Sequence, residues 1–472
     1  MWGGSDPGAA GQPAGRAFEV HEGAASGGGA EYHRWPTGSP AGWDAPSTPP
    51  SWGCCWRAAG TVAVSQLPAP ALSFDPGPVR RQFPALGDGG AYLDGAAGTQ
   101  VPRAVIDAIA NAYLGGLGNT GGAFAASRRS DEIVGEARRA VADLVGGVAD
   151  GVILGPNMTT LTYRLSYALG RSWAPGDEVV VSQLDHDANV RPWVQAAQRA
   201  GAQIRWARID PTTGELGSEQ YRELIGPRTR LVAVTAASNL LGIRPAVAEI
   251  TAIAHRAGAL TYIDGVHATP HGPIDVGALG ADFYVTSAYK WCGPHVGAVV
   301  ANPELLEAII PDKLLPSSDE VPERFETGTP PFADYAGVVA AVDHLAGLLP
   351  GTDGTRRQCL LASMAAVERY ESRLFAGLLS GLASMADVTL YGRSADRAPT
   401  AYFKVRGHTP DAVAAALARR QVNVWSGHNY AWELTGALGI RDSGSAVRAG
   451  LVHYNDSSDV ERLLAGVAGL SD

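Results

Sequence analysis

Apolar and polar positions follow two different periods along most of the chain. Short runs that are almost wholly apolar, such as Val179-Val180-Val181, alternate with longer stretches in which apolar residues recur every three or four positions. The short runs predict buried strands and the longer stretches predict helices. Strands are predicted at residues 91–94, 152–154, 178–182, 204–209, 231–235, 260–263, 283–285, 297–300, 401–405, 422–425 and 448–453.

Helices are predicted at residues 102–114, 130–144, 159–172, 190–200, 218–225 and 246–257. Pro102 stands at the start of the first helix, and Ser127 and Ser130 offer capping groups for the second. Strands and helices in alternation predict an α/β fold, with a mostly parallel central sheet and helices on both faces. Ligands bind such sheets beyond the carboxyl ends of the strands, so the residues after each strand are the candidates for a site.

Composition narrows the possible functions. Residues 1–75 are rich in Gly, Pro, Ala and Ser without apolar periodicity, which predicts a disordered extension. The net charge of −10 argues against a nucleic-acid or anionic-membrane partner. No apolar run reaches the roughly 18 residues that a membrane span needs, and no secretory signal is evident at the N-terminus. Cys54, Cys55, Cys292 and Cys359 form neither a disulfide framework nor a zinc ligand set, so we expect no metal and a cytoplasmic location.

Lys290 is the first candidate for chemistry. It closely follows the predicted strand at residues 283–285, and Trp291-Cys292-Gly293-Pro294 ends the element at once. An ammonium group beside a buried strand is costly because it loses its hydration. The cost is explained if the amine is neutral and nucleophilic, since such a lysine forms Schiff bases with carbonyls, including the aldehyde of pyridoxal phosphate. The alternative is a lysine that simply reaches the surface at a strand end.

Four other strand ends carry polar residues. Asn157 precedes a predicted helix, where free N–H groups and the helix dipole favour an anion such as phosphate. His186 could stack on a cofactor ring or move a proton, and Asn239 could donate a hydrogen bond to a ring oxygen. Asp264 needs a cationic partner, and a pyridinium nitrogen is one. The alternatives are a helix cap for Asn157, a solvated loop for His186 and a turn for Asn239.

Together these stretches resemble the class V aminotransferase group of fold-type-I pyridoxal phosphate enzymes, in particular proteins similar to cysteine desulfurases. The resemblance runs from about residue 92 to residue 470. It rests on the segments 92–97 (Tyr-Leu-Asp-Gly-Ala-Ala), 183–189 (Gln-Leu-Asp-His-Asp-Ala-Asn), 238–242 (Ser-Asn-Leu-Leu-Gly), 263–267 (Ile-Asp-Gly-Val-His), 286–290 (Thr-Ser-Ala-Tyr-Lys) and 324–330 (Arg-Phe-Glu-Thr-Gly-Thr-Pro). It implies a large cofactor-binding domain at residues 101–345 and a small α+β domain at 346–472, which the segment 76–100 joins. It also implies a homodimer that acts on a small amino acid.

The resemblance gives each candidate residue a role. Lys290 would carry pyridoxal 5′-phosphate as a Schiff base and then move the substrate proton, while Asp264 pairs with the pyridine nitrogen and His186 stacks on the ring. The remaining contacts would come from Asn239 and His267 at the ring hydroxyl, from Asn157, Met158, Ser287 and Tyr289 at the phosphate, from Thr329 of the second subunit, and from Arg448 at the substrate carboxylate. The family usually has Gln at the position of His267 and His at that of Tyr289. The alternative for Arg448 is a surface arginine on an edge strand.

The sequence departs from cysteine desulfurases at their nucleophile. Those enzymes carry the substrate sulfur on a loop cysteine, which follows Gly-His-His in the group II members. This chain reads Gly427-His428-Asn429-Tyr430, and no cysteine stands nearby in the sequence. We therefore predict a pyridoxal phosphate enzyme with C–S lyase or desulfurase-like chemistry but no cysteine nucleophile. Aminotransferase or epimerase activity is the alternative, and a non-catalytic scaffold or sensor is the alternative of another class.

Overall fold

The computed structural model describes residues 74–470. The extension predicted for residues 1–75, with Cys54 and Cys55, lies outside the described residues except for its last two positions. Phe74 is buried against the ring of Tyr370, with ring centroids 5.0 Å apart, and Asp75 caps the first helix by accepting a hydrogen bond from the Gly77 N–H.

Seven strands form the central sheet, in the order β2-β8-β7-β6-β5-β3-β4. All are parallel except β8, which runs antiparallel to both of its neighbours. The strands and their bounds are β1 (Ala91–Tyr92), β2 (Val152–Gly155), β3 (Glu178–Ser182), β4 (Gln203–Ala207), β5 (Thr229–Thr235), β6 (Leu260–Asp264), β7 (Phe283–Ser287), β8 (Gly297–Ala301), β9 (Val388–Tyr391), β10 (Thr400–Val405), β11 (Val422–Asn423), β12 (Trp425–Gly427) and β13 (Ala446–Gly450).

Helices cover both faces of the sheet, and one apolar cluster of buried residues lies on each face. The predicted α/β fold with a mostly parallel central sheet is therefore confirmed. The helices are α1 (Pro76–Arg80), α2 (Arg103–Leu114), α3 (Ala125–Val145), α4 (Met158–Gly170), α5 (Arg191–Ala200), α6 (Tyr221–Leu224), α7 (Val247–Arg256), α8 (Val276–Leu279), α9 (Pro303–Glu307), α10 (Phe332–Ala346), α11 (Arg356–Ala383), α12 (Pro410–Ala418), α13 (Trp432–Ala437) and α14 (Ser457–Ala468). Among the described residues, no helix combines the length and the apolar character that crossing a bilayer requires.

The prediction that Ser127 and Ser130 cap the start of a helix at residues 130–144 is wrong. Helix α3 begins at Ala125, and both serines lie buried inside it. Their hydroxyls donate to the carbonyls of Asn119 and Gly118, at 2.5 and 2.6 Å, so they fasten the preceding Gly-rich loop to the helix. Serine side chains that bond to nearby backbone are compatible with either position, which explains the error.

The C-terminal part of the chain builds a second, smaller sheet in the order β12-β13-β10-β9, with all neighbours antiparallel. Its apolar side packs with α11, α12 and α14 in a separate buried cluster. The N-terminal strand β1 pairs with β11 in parallel. Strand β13 ends at Gly450, so the prediction that residues 451–453 continue the strand is wrong.

Candidate active site

Lys290 lies in a buried turn directly after β7. Residues Ala288–Lys290 form a single 3₁₀ turn, which the Trp291 indole holds by donating to the Thr286 hydroxyl at 2.9 Å. The side chain of Lys290 is 8% exposed, and its amine donates to the Ala96 carbonyl. Burial, reinforced by the positive charge of Arg448, lowers the pKa of Lys290 to about 7. The amine is therefore substantially neutral near physiological pH, as a nucleophile must be.

Asp264 ends the neighbouring strand β6 and is also buried. Its carboxylate accepts a hydrogen bond from the Val266 N–H at 2.9 Å. Burial raises the pKa of Asp264 to about 6, and the nearby Lys290 opposes this shift. No ion pair with a cationic side chain is formed by this carboxylate within residues 74–470. A pyridinium nitrogen would supply the missing positive charge.

The N-terminus of α4 lies at the same edge of the sheet. The Asn157 side chain caps it by accepting from the Thr160 N–H, and the Ser287 hydroxyl accepts from the Met158 N–H at 3.0 Å. Gly297 permits this approach, because a Cβ there would lie 2.3 Å from the Asn157 backbone. The Thr159 N–H has no hydrogen-bond partner among the described residues. This free donor and the helix dipole can hold a phosphate.

His186 follows β3 and is held in place by a buried carboxylate. Its Nδ1 accepts from the Ala188 N–H at 3.0 Å, which leaves the proton on Nε2. Burial lowers the pKa of His186 to about 3, so the ring is neutral near physiological pH. Asp185 fixes this loop by accepting from the Ser182 hydroxyl and from the Asn189 amide, the latter at 2.7 Å. Sequence reasoning gave Asp185 no role, although it stands inside the motif that carries His186.

The loop Gly427–Tyr430 covers the site from the C-terminal part of the chain. Two backbone carbonyls anchor it: that of Tyr430 accepts from the Asp187 N–H, and that of Asn429 accepts from the Asn239 amide, both at 2.8 Å. Asn429 and Tyr430 both have left-handed backbone conformations, with φ of +46° and +60°. The Tyr430 ring stacks on His186, with centroids 5.3 Å apart and an angle of 25° between the planes. Sequence reasoning placed Tyr430 at this loop but not on His186.

Arg448 is a buried cation of the smaller sheet. It lies on β13, is 4% exposed, and donates to the Asn239 carbonyl at 2.9 Å. Within residues 74–470 its guanidinium forms no ion pair with a carboxylate, although Asp94 is close enough to act through space. Burial lowers the pKa of Arg448 to about 10, which still leaves it charged at neutral pH. The surface-arginine alternative is thus wrong, and a substrate carboxylate would satisfy the remaining donors.

The other predicted residues divide into those that line the pocket and one that does not. His267 is buried, with Nε2 2.9 Å from the Thr400 hydroxyl and Nδ1 without a partner among the described residues. Tyr289 lines the pocket and stacks on His295, with centroids 4.9 Å apart. Thr329 is exposed and does not line the pocket of its own chain, and Arg448 reaches the pocket only through the carbonyl of Asn239, which does line it. The pocket brings together Asn157, Met158, Thr159, His186, Ala188, Thr235, Ala237, Asn239, Asp264, Val266, His267, Ser287, Tyr289 and Lys290.

Pyridoxal phosphate fits the donors and acceptors of this pocket. Two buried polar atoms there have no partner among residues 74–470, Asn239 Oδ1 and His267 Nδ1. The Lys290 amine suits the aldehyde of the cofactor, and the Asp264 carboxylate suits its ring nitrogen. The N-terminus of α4 suits its phosphate. The roles that the resemblance assigned to the individual residues stay predictions.

The lowered pKa of Lys290 predicts a pH dependence for cofactor capture. The rate at which the cofactor-free protein reacts with pyridoxal phosphate should rise with pH up to about 7 and then level off, because only the neutral amine attacks an aldehyde. Arg448→Gln should move this inflection to higher pH, since removal of a nearby positive charge raises the pKa of a lysine. Stopped-flow absorbance measures both. A rate that keeps rising to about pH 10, the range of an unperturbed lysine, would contradict the assignment.

Comparison with known proteins places this site in a family. The model of the family "Aminotransferase class-V" matches residues 91–463. An uncharacterized protein of Mycobacterium tuberculosis (strain CDC 1551 / Oshkosh) is 36% identical over 400 residues, which are 84% of this chain and 100% of that protein. A probable cysteine desulfurase of Pseudomonas aeruginosa (strain PAO1) is 35% identical over 406 residues, with coverage of 82% and 96%.

A solved structure agrees with these relatives. The crystal structure of the cysteine desulfurase CsdA from Escherichia coli superposes with a TM-score of 0.74 at 29% identity, and the match covers 84% of this chain and 98% of that one. The resemblance noted in the sequence is thus confirmed. The chain belongs to the class V aminotransferase family, and its cofactor is pyridoxal 5′-phosphate.

Proposed function

We propose that this enzyme cleaves the Cβ–S bond of a cysteine-type amino acid by elimination, without transferring sulfur to a cysteine of its own. The observation that carries the proposal is Tyr430. It occupies the loop over the site at the position where the group II desulfurases, by the resemblance, carry their nucleophilic cysteine. A phenol cannot accept sulfur as a persulfide, so the sulfur must leave with another acceptor or as a free thiol.

The described cysteines support this reading by their positions. Cys292 is fully buried, and its sulfur faces His453 rather than the pocket. Cys359 lies in the first turn of α11, where its thiol donates to the Thr352 carbonyl. Neither lines the pocket that holds Lys290. Within residues 74–470, therefore, no thiol is placed to attack a substrate sulfur.

The residues of the site can carry out an elimination. Pyridoxal phosphate, when bound, supplies an electron sink for the pair left by the departing proton. Arg448 binds the substrate carboxylate, which fixes the Cα–H bond in one direction. Lys290, neutral once its amine is released, removes the Cα proton. Asp264 keeps a proton on the ring nitrogen, and neutral His186 stacks on the ring face.

The atoms of the reaction balance without an oxidant. The Cα–H and Cβ–S bonds break, the proton goes to the Lys290 amine, and the sulfur leaves with the bonding pair and takes up a proton. Hydrolysis of the unsaturated amino acid that remains gives pyruvate and ammonium. We also propose that the enzyme works as a homodimer, because exposed Thr329 would then complete the phosphate site of a second copy. Analytical ultracentrifugation tests that part.

Product analysis with the purified holoenzyme tests the proposal. L-cysteine, L-cystine and an S-alkyl cysteine are supplied in turn, and pyruvate, ammonium, alanine and sulfide are measured. We expect pyruvate and ammonium in equal amounts, with a thiol or sulfide released alongside. Alanine in place of pyruvate would show desulfuration, and a keto acid with the cofactor left in its amine form would show transamination. Either result, or no turnover of the panel, would overturn the elimination.

A further inference from the structure

A second cluster of reactive side chains lies behind the Lys290 turn, outside the cofactor pocket. It consists of Cys292, His344 and His453, all of them buried. Cys292 stands two residues after Lys290, His344 lies on α10, and His453 lies just beyond β13. One donor atom from each falls within 4.8 Å of the others. Three separate parts of the chain thus direct a sulfur and two imidazole nitrogens at one point.

The separations within the cluster fit the ligands of one metal ion. Zinc binds nitrogen at about 2.0–2.1 Å and sulfur at about 2.3 Å, in tetrahedral geometry. These bond lengths place two ligand nitrogens about 3.4 Å apart and a nitrogen and a sulfur about 3.6 Å apart. The His344 and His453 Nε2 atoms are 3.4 Å apart, and the Cys292 sulfur is 3.9 Å from His453 Nε2.

Hydrogen bonds among the three side chains account less well for this arrangement. The 3.4 Å between the two imidazole nitrogens is long for a hydrogen bond, since nitrogen donors prefer about 2.7–3.2 Å to an oxygen acceptor. His453 is 1% exposed, and its Nδ1 has no hydrogen-bond partner within residues 74–470, so the polar contacts of its ring are the two at Nε2. A buried imidazole with so few partners is costly. A metal ion at Nε2 would replace weak contacts with a coordinate bond.

The backbone also positions the thiol. Cys292 has a left-handed conformation, with φ of +68°, which is uncommon for a residue with a side chain. The Thr99 hydroxyl secures it by accepting from the Cys292 N–H at 2.8 Å. Such conformations persist where the surrounding structure determines them, and they concentrate at functional sites.

We propose that Cys292, His344 and His453 bind one zinc ion, with the fourth position open to water. Thiolate and imidazole are ligands that zinc favours, and this set is buried and drawn from three parts of the chain. The ion would join the Lys290 turn to α10 and to the segment after β13. The spacing of cysteines in the sequence could not reveal it, because His344 and His453 are 109 residues apart and only one cysteine takes part.

Metal analysis of the holoenzyme tests the site. Protein from zinc-supplemented cultures is dialysed against a weak chelator, and zinc per chain is measured by mass spectrometry. We expect about one zinc per chain in the wild type and in the control Cys359→Ser, which changes a thiol outside the cluster. Cys292→Ser should retain less than about a tenth of that. Zinc should also raise the Tm of the zinc-free wild type by about 5 °C and leave that of Cys292→Ser unchanged.

A second variant and a second metal keep the test decisive if Cys292→Ser folds poorly. His344→Gln removes a ligand from a helix side and should lose zinc in the same way. Cobalt added to the zinc-free wild type should give visible bands typical of a tetrahedral thiolate site, which both ligand variants lack. Wild-type protein with less than about a tenth of a zinc per chain, or ligand variants that retain zinc fully, would overturn the site. These readouts do not involve catalysis, so they stand apart from the proposed elimination.

Discussion

Replacing Lys290 with alanine is expected to remove both turnover and the covalent attachment of pyridoxal phosphate. The loss of activity should reach at least about 10³-fold, because in the proposed mechanism the same amine holds the cofactor and moves the substrate proton. Borohydride treatment followed by peptide mapping should place the reduced cofactor on Lys290 in the wild type. The chain suits this experiment, since its lysines are Lys290, Lys313 and Lys404 alone.

Lys404→Ala is the matched control for that variant. Lys404 lies on β10, outside the pocket, and its amine donates to the Ser443 hydroxyl at 2.8 Å. The control should keep wild-type activity and a fully reducible cofactor. Cofactor found on Lys313 or Lys404, or a Lys290→Ala enzyme with undiminished turnover, would refute the assigned role.

Arg448→Lys should lower kcat/KM for the amino-acid substrate by about 10²–10³-fold. A bidentate contact from a guanidinium to a carboxylate comprises two charge-assisted hydrogen bonds of about 1.5–3 kcal/mol each. Lysine keeps the positive charge but not the planar fork, so most of this contact is lost. The effect should fall chiefly on substrates with a carboxylate. The preference for L-cysteine over cysteamine, which lacks that group, should therefore shrink in the variant.

Arg397→Lys controls for the loss of any buried arginine. Arg397 is partly buried, and within residues 74–470 its guanidinium donates to the carbonyls of Leu241, Gly392 and Thr400, none of which belongs to a residue that lines the pocket. Its replacement should lower Tm while leaving the substrate preference intact. An Arg448→Lys enzyme with an unchanged preference for the carboxylate would show that substrate binds elsewhere.

The parallel sheet explains why so much of the site was predictable. Strands β2, β3, β5, β6 and β7 run in the same direction, so their carboxyl ends meet at one edge. Asn157, His186, Asn239, Asp264 and Lys290 follow those ends and line one pocket. Locating the strands in the sequence was therefore enough to predict that these residues lie together. Their chemical roles came from the resemblance, because a strand end fixes the location of a side chain but not what it binds.

Contacts between distant parts of the chain could not be predicted from the sequence. The stacking of Tyr430 on His186 and the bond from Arg448 to the Asn239 carbonyl each join residues more than 200 positions apart. Nothing local in the sequence encodes them, since they depend on how the smaller sheet packs against the large one. The burial of Ser127 and Ser130 within α3 was missed for a related reason. Their partners belong to a loop whose path is set by its glycines.

The backbone hydrogen bonds that hold the loop Gly427–Tyr430 have a consequence for the evolution of class V enzymes. Its anchors at Asn429 and Tyr430 are main-chain carbonyls, so they persist whichever side chain stands at position 430. Tyrosine and cysteine codons differ by one base, and both side chains must adopt the same left-handed conformation at similar cost. One nucleotide substitution could thus exchange an aromatic cover for a thiol without rebuilding the loop. If position 430 is that of the sulfur-carrying nucleophile, as proposed, one mutation separates the gain of that nucleophile from its loss.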